Sequence, residues 1–182
     1  MGKQDNIYEK GNLSGLPFTF NEEVTEVFED MIKRSVPGYK TSLNIITHYA
    51  KNFYKDDTNC YDIGCSLGAS SLSILQGANK AKIIAIDKSE AMIDQCQRIF
   101  KNYKNPSSLT FLNGDIMESD LQNASLIVVN YLIQFLELEE RDILFKKIFK
   151  ALIPHGILIL SEKVHYENKF EKVKKIINEN FD

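Results

Sequence analysis

Apolar residues recur along this chain in two rhythms, short continuous runs and stripes of helical spacing. Val24, Val27, Phe28, Met31 and Ile32 form one stripe, which predicts a helix. Asn21 is placed to cap it, with Glu22 and Glu23 in its first turn, and Val36-Pro37-Gly38 ends it. Leu43, Ile46, Ala50 and Phe53 share one face of a second predicted helix. From there runs and stripes alternate. Residues 59–64 read as a strand, 67–76 as a helix and 82–87 as a second strand. Ser89 caps a helix carrying Met92, Ile93, Cys96, Ile99, Phe100 and Tyr103. Residues 109–112 read as a third strand. Residues 125–131 are a fourth, a continuous apolar run of the kind buried on both faces of a sheet. Glu137, Glu139 and Glu140 open the next helix and Lys146, Lys147 and Lys150 close it, in the sense the helix dipole favours. A Pro154-His155-Gly156 turn leads into a fifth strand over 156–161. Phe170, Val173, Ile176 and Ile177 mark a last amphipathic helix over 166–181.

Strands separated by helices predict an α/β fold with a doubly wound, mostly parallel sheet. The whole of residues 1–182 reads as a single domain: an irregular N-terminus over 1–20, N-terminal helices over 21–55 and the sheet-bearing core over 56–182. In such sheets ligands bind beyond the carboxyl ends of the strands. Those ends carry Gly64-Cys65-Ser66, Asp87, Asp115 and Asn130, so four polar clusters are expected to converge on one crevice.

Composition narrows the partners. The 182 residues are 43% hydrophobic and 26% charged with a net charge of −3, ordinary for a soluble domain. There is no broad basic field to gather nucleic acid, so a small-molecule substrate is the expected partner. No apolar run approaches the ~20 residues of a membrane span, and the polar stretch 1–10 lacks a signal-peptide core. Cys60, Cys65 and Cys96 follow neither a disulfide framework nor a metal-ligand spacing. They predict reduced thiols in the cytoplasm and no metal site. His48, His155 and His165 are scattered and are expected to be structural or solvated.

The stretch Tyr61-Asp62-Ile63-Gly64-Cys65-Ser66-Leu67-Gly68 carries the chemistry. It joins a strand to a helix, and Asp87 closes the next strand about 20 residues on, the layout of a nucleotide-binding first βα turn. The helix behind it presents free N–H groups. Asp87 suits the two hydroxyls of a ribose, because a carboxylate can accept both hydrogen bonds. The spacing of the glycines is not the G-x-G-x-x-G of a pyrophosphate site. Asp115, ending the third strand, suits an adenine amino group, with the backbone N–H of Ile116 next to it. Both features favour S-adenosylmethionine over a dinucleotide. Asn130, an amide in a buried strand, must find partners, either in local backbone or at the sulfonium end of the cofactor.

Several segments together resemble carboxy-S-adenosyl-L-methionine synthases. They are Phe18-Thr19-Phe20-Asn21-Glu22-Glu23-Val24, Arg34-Ser35-Val36-Pro37-Gly38-Tyr39, Tyr61-Asp62-Ile63-Gly64-Cys65-Ser66, Ile84-Ala85-Ile86-Asp87-Lys88-Ser89, Asn130 with Gln134-Phe135-Leu136-Glu137, and Leu160-Ser161-Glu162-Lys163. The resemblance implies a class I methyltransferase-like Rossmann fold that does not methylate. It implies reaction of S-adenosylmethionine with prephenate to carboxy-S-adenosylmethionine and phenylpyruvate, in the service of the oxyacetyl modification of wobble uridine in tRNA, and a homodimer. The cofactor contacts it implies are Tyr39, Gly64, Cys65, Ser66, Asp87, Lys88, Asp115, Ile116 and Asn130, those of Lys88 through its backbone alone. It names no catalytic residue here. The resemblance also implies seven strands and a downstream arginine for the new carboxylate. This sequence reads as five strands, and its last arginine is Arg141. It is therefore expected to be a piece of a longer chain, with an uncovered apolar edge at its fifth strand. An ordinary methyltransferase and a non-catalytic cofactor-binding fragment are the alternatives.

Overall fold

The computed structural model describes residues 28, 31–32, 34–103 and 109–164. The expected irregular N-terminus, the cap at Asn21 and the final amphipathic helix lie outside these residues. Residues 28, 31–32 and 34–35 are helical. The elements that follow are α1 (Tyr39–Phe53), β1 (Asn59–Ile63), α2 (Ala69–Gly77), β2 (Lys82–Asp87), α3 (Glu90–Phe100), β3 (Leu109–Asn113), β4 (Ala124–Asn130), α4 (Leu138–Ala151) and β5 (Leu152–Ser161). The strands form one sheet of order β3-β2-β1-β4-β5, and every pairing is parallel. The order reverses direction between β1 and β4, which is where such a sheet opens a crevice.

Side-chain alternation along the strands assigns the helices to the two faces. Cys60, Ile83, Leu126 and Val128 pack with Ile46 and Ala50 of α1 and Ile74 and Leu75 of α2. Tyr61, Ile63, Ile127 and Val129 point the other way and pack with Leu144, Ile148 and Ala151 of α4. The apolar run of β4 is thus buried on both sides, as its sequence predicts.

Local signals place the helix ends. The Ser89 hydroxyl accepts from Met92 N at 3.3 Å and caps α3. Glu137 and Glu140 form a capping box at the start of α4. On α3, Met92, Ile93, Cys96 and Phe100 are buried, whereas Ile99 and Tyr103 are exposed. The two exposed residues fall beside the buried stripe rather than on it. The fifth strand begins earlier than expected, at Leu152. The register passes from Ala124↔Leu152 to Leu126↔Ile157, so Pro154-His155-Gly156 is a bulge within the strand rather than a turn before it. β5 is an edge strand among the described residues. Leu160 on it is 44% exposed, in line with the uncovered edge the sequence implies.

α1 and α2 meet at Gly77. A Cβ there would stand 2.2 Å from the Thr47 carbonyl oxygen and 2.9 Å from Ala50 Cβ. Gly77→Ala is therefore expected to force the helices apart and destabilise the fold by about 2 kcal/mol, measured as a fall in the urea midpoint. An unchanged midpoint would show that the contact yields freely.

Candidate functional site

The loop after β1 turns sharply, with Gly64 at φ 72°, Ser66 at φ 46° and Gly68 at φ 78°. At Gly68 the backbone takes a left-handed conformation, and a Cβ would also meet the Phe100 ring at 2.8 Å. Glycine meets both demands at the head of α2. Asp87 braces this turn from the end of β2. Its Oδ2 accepts Ser66 N at 2.8 Å and its Oδ1 accepts Ser89 N at 2.9 Å. Each oxygen retains a second acceptor position for a ligand hydroxyl. Burial raises the Asp87 pKa, against the pull of the Ser89 and Ser66 N–H bonds.

Asp115 sits beyond the end of β3, next door in the sheet. Its Oδ1 accepts Met117 N at 2.9 Å, and Lys88 Nζ stands 2.9 Å from Oδ2. These two partners, in that order, hold its carboxyl below the usual carboxylate range. Asp115 is therefore anionic at neutral pH. The loop is steadied from below by Lys147, whose Nζ donates to the carbonyls of Ile116 and Met117 at 2.8 and 2.7 Å. Lys88 thus holds Asp115 through its side chain. The sequence reading of a solvated lysine misses this, because the partner is brought in by the β2–β3 pairing.

Asn130 closes β4. Its Nδ2 donates to Ser70 Oγ at 3.3 Å, while Oδ1 is buried and has no partner. A buried acceptor left open in this way is costly and marks a place for a ligand donor. Tyr131 follows at φ 60°. Its hydroxyl is 3.0 Å from Ser42 Oγ, and its ring centroid lies 6.2 Å from that of Tyr39.

These groups share one crevice of about 780 Å³, a volume suited to a cofactor-sized ligand. Gly64, Ser66, Asp87, Lys88, Asp115, Ile116 and Asn130 line it. Cys65 and Tyr39 stand behind the wall. The Cys65 side chain packs with Ala85 and Ile93, and the Tyr39 ring lies against Tyr131, which lines the crevice. A hydrogen bond with Cys96, and then burial, push the Cys65 thiol well up, and burial pushes Cys60 up to about 12. Such thiols are poor nucleophiles. Phe28, Met31, Ile32 and Val36 supply an apolar wall. The stripe at 24–32 predicts an apolar face at Phe28, Met31 and Ile32, but not that a ligand space lies against it. A second, more polar recess of about 880 Å³ lies at the amino ends of the strands, around Tyr54, Asp57, Lys82 and Asn123. It is far from the carboxyl ends where this architecture binds ligands.

Asp62 is the functional candidate that sequence reasoning passes over. It sits in β1 directly beneath the turn, is buried, and accepts from Ser71 Oγ at 2.6 Å. Burial lifts its pKa to about 7, helped by repulsion from Asp87 and opposed by Ser71. Every residue of β1 is buried, and an acid held inside such a strand is a candidate for a perturbed group.

Comparison with known proteins fits this geometry. Residues 61–156 match the model of a methyltransferase domain. A carboxy-S-adenosyl-L-methionine synthase of Shewanella putrefaciens is 45% identical over 168 residues, which are 91% of this chain and 69% of that protein. The corresponding synthase of Psychromonas ingrahamii is 43% identical, over 92% of this chain and 70% of its own length. The chain belongs to the carboxy-S-adenosyl-L-methionine synthase family. The chain covers somewhat over two thirds of the length of these relatives. In fold it is similar to a solved chain from Methanococcus maripaludis described as an S-adenosyl-L-methionine-dependent methyltransferase candidate, with TM-score 0.64 and 20% identity over 92% of this chain and 76% of that one. It is also similar to the glycopeptide N-methyltransferase MtfA solved with S-adenosyl-L-methionine, with TM-score 0.55 and 14% identity over 65% and 53% of the two chains. These likenesses establish the class I methyltransferase fold, and the family's cofactor is S-adenosylmethionine.

Proposed function

We propose that this chain binds S-adenosylmethionine in the crevice and carboxylates it with prephenate as donor, giving carboxy-S-adenosylmethionine and phenylpyruvate. The observation that carries the reading is the open Asn130 Oδ1, on a residue that lines the same crevice as Asp87 and Asp115 in a chain of this family. Asp87 takes the ribose hydroxyls, and Asp115 with the Ile116 N–H takes the adenine. The backbone of Gly64, Cys65 and Ser66 takes the amino-acid tail, and Asn130 lies at the sulfonium end. The backbone of Lys88 completes the set, and Tyr39 supports it from behind through the Tyr131 ring. The cofactor supplies an acidified methyl on its positive sulfur. The proton lost there and the hydroxide lost as prephenate aromatises combine as water, while the carboxyl group moves to the methyl carbon. The protein would act in the cytoplasm as a single-domain protomer of a homodimer, and its product would feed the oxyacetyl modification of wobble uridine in tRNA.

Incubation with S-adenosylmethionine and prephenate, followed by mass spectrometry, tests this. The expected product is heavier than the cofactor by one CO₂ unit and depends on prephenate. Accumulation of S-adenosylhomocysteine with an acceptor, indifferent to prephenate, would instead support an ordinary methyltransferase.

A further inference from the structure

The turn after β1 is held in an unfavourable shape. Ser66 keeps a φ of 46°, in the left-handed region that a residue with a side chain holds only under constraint. Side chains from two different elements grip its backbone. At its N–H, Asp87 Oδ2 accepts at 2.8 Å. At its carbonyl, the Cys96 thiol of α3 donates at 2.9 Å. The Cys65 thiol stands 3.9 Å from the same carbonyl and is hydrogen-bonded to Cys96. Cys96 is therefore the closer donor of the two.

One face of α3 carries this contact. Its buried stripe includes Ile93, Cys96 and Phe100, at the spacing that shares a helix face. Ile93 packs with Cys65. A Cβ on Gly68 would stand 2.8 Å from the Phe100 ring and 3.4 Å from the Cys96 sulfur. The same stripe therefore touches the turn at Cys65, Ser66 and Gly68. Cys96 itself is fully buried, where a hydrogen bond is electrostatically stronger than in water. It is not among the residues that line the crevice, so any effect on a ligand there passes through Ser66.

A buried cysteine commonly serves as a small apolar side chain. Here it also meets a polar group of the one strained residue in the crevice wall that Asp87 already holds. We infer that Cys96 is a positioning residue for the cofactor turn. Its thiol holds the Ser66 carbonyl as Asp87 holds the Ser66 N–H, and the backbone between them keeps the shape that receives the amino-acid tail. The inference rests on the reading of the Gly64, Cys65 and Ser66 backbone as the site of that tail.

Two uncharged thioethers isolate the tail. S-adenosylhomocysteine carries it and 5′-methylthioadenosine lacks it, while both offer the same ribose and adenine to Asp87 and Asp115. Calorimetry with both ligands is read for the parent chain and three variants. C96A removes the donor, C96V removes it while filling the space, and C96S keeps a donor. C96A and C96V are expected to weaken S-adenosylhomocysteine by about 3- to 10-fold, the range for one neutral hydrogen bond, and to hold 5′-methylthioadenosine within about twofold. C96S should bind both ligands nearly as the parent does. Equal losses for the two ligands would make Cys96 a packing residue and overturn the inference. Unchanged S-adenosylhomocysteine affinity in C96A and C96V would overturn it too, as would a serine variant as weak as the alanine one. A parent that binds both ligands equally would leave the adenosine site standing and overturn this inference alone. A parent that binds neither would overturn the proposed function itself.

Discussion

Asp87→Ala is expected to weaken S-adenosylmethionine binding by about 100-fold or more. The carboxylate serves the site twice. Its free acceptor positions face the crevice, where a ribose presents two hydroxyls. Hydrogen bonds to a charged group contribute about 1.5–3 kcal/mol each, so losing a pair costs about 3 kcal/mol or more, a hundredfold in affinity. Its other acceptor positions hold Ser66 N at 2.8 Å and Ser89 N at 2.9 Å. Ser66 has a positive φ of 46°, a conformation that a non-glycine residue keeps only under constraint. Removing the brace lets the turn relax away from the shape that receives the amino-acid tail. Asp87→Asn retains size but offers one acceptor oxygen and no charge, and should fall between the two. Calorimetry with S-adenosylmethionine decides the matter; an alanine variant that binds like the parent would remove Asp87 from the site.

Much of this site is legible in the sequence because strand ends are local events. Apolar runs stop at Asp87, Asn113 and Asn130, and the parallel order of the sheet then lines up their carboxyl ends. No periodicity announces which strand neighbours which, and the surprises come from there. Lys88 meets Asp115 because β2 lies beside β3, although the partners are 27 positions apart in sequence. Lys163 reaches the crevice because β5 lies beside β4. Cys65 turns into the core while Ser66 faces out, a division set by the strained backbone of the turn rather than by side-chain chemistry. The early start of β5 was hidden by Pro154 and Gly156, which read as a turn but form a bulge within a paired strand. Asp62 was concealed differently: within the nucleotide-binding pattern it reads as one more polar residue of the turn. Only its burial separates it from Asp87.

That burial gives Asp62 the second large effect. Its folded-state pKa of about 7 lies well above the ordinary aspartate value of 3.8. Below pH ~4 the group is protonated in both folded and unfolded chains and contributes no slope. Between about pH 4 and 7 the folded protein keeps the proton and the unfolded chain releases it. Rising pH therefore favours unfolding, and the stability present at low pH is lost as pH passes through the folded pKa. A shift of this size corresponds to about 4 kcal/mol at most, or roughly 10 °C in melting temperature for a chain of this length. Asp62→Asn preserves an acceptor for Ser71 and cannot ionise. Its melting temperature should fall much less than that of the parent between pH 5 and 8, with the two curves diverging as pH rises. Other groups titrate in this window, so the decisive quantity is the difference between the two proteins. Parallel curves would mean that Asp62 remains ionised in the fold. Its charge would then have to be balanced within the crevice, and the turn above it would present a negative rather than a neutral floor to the positive ligand.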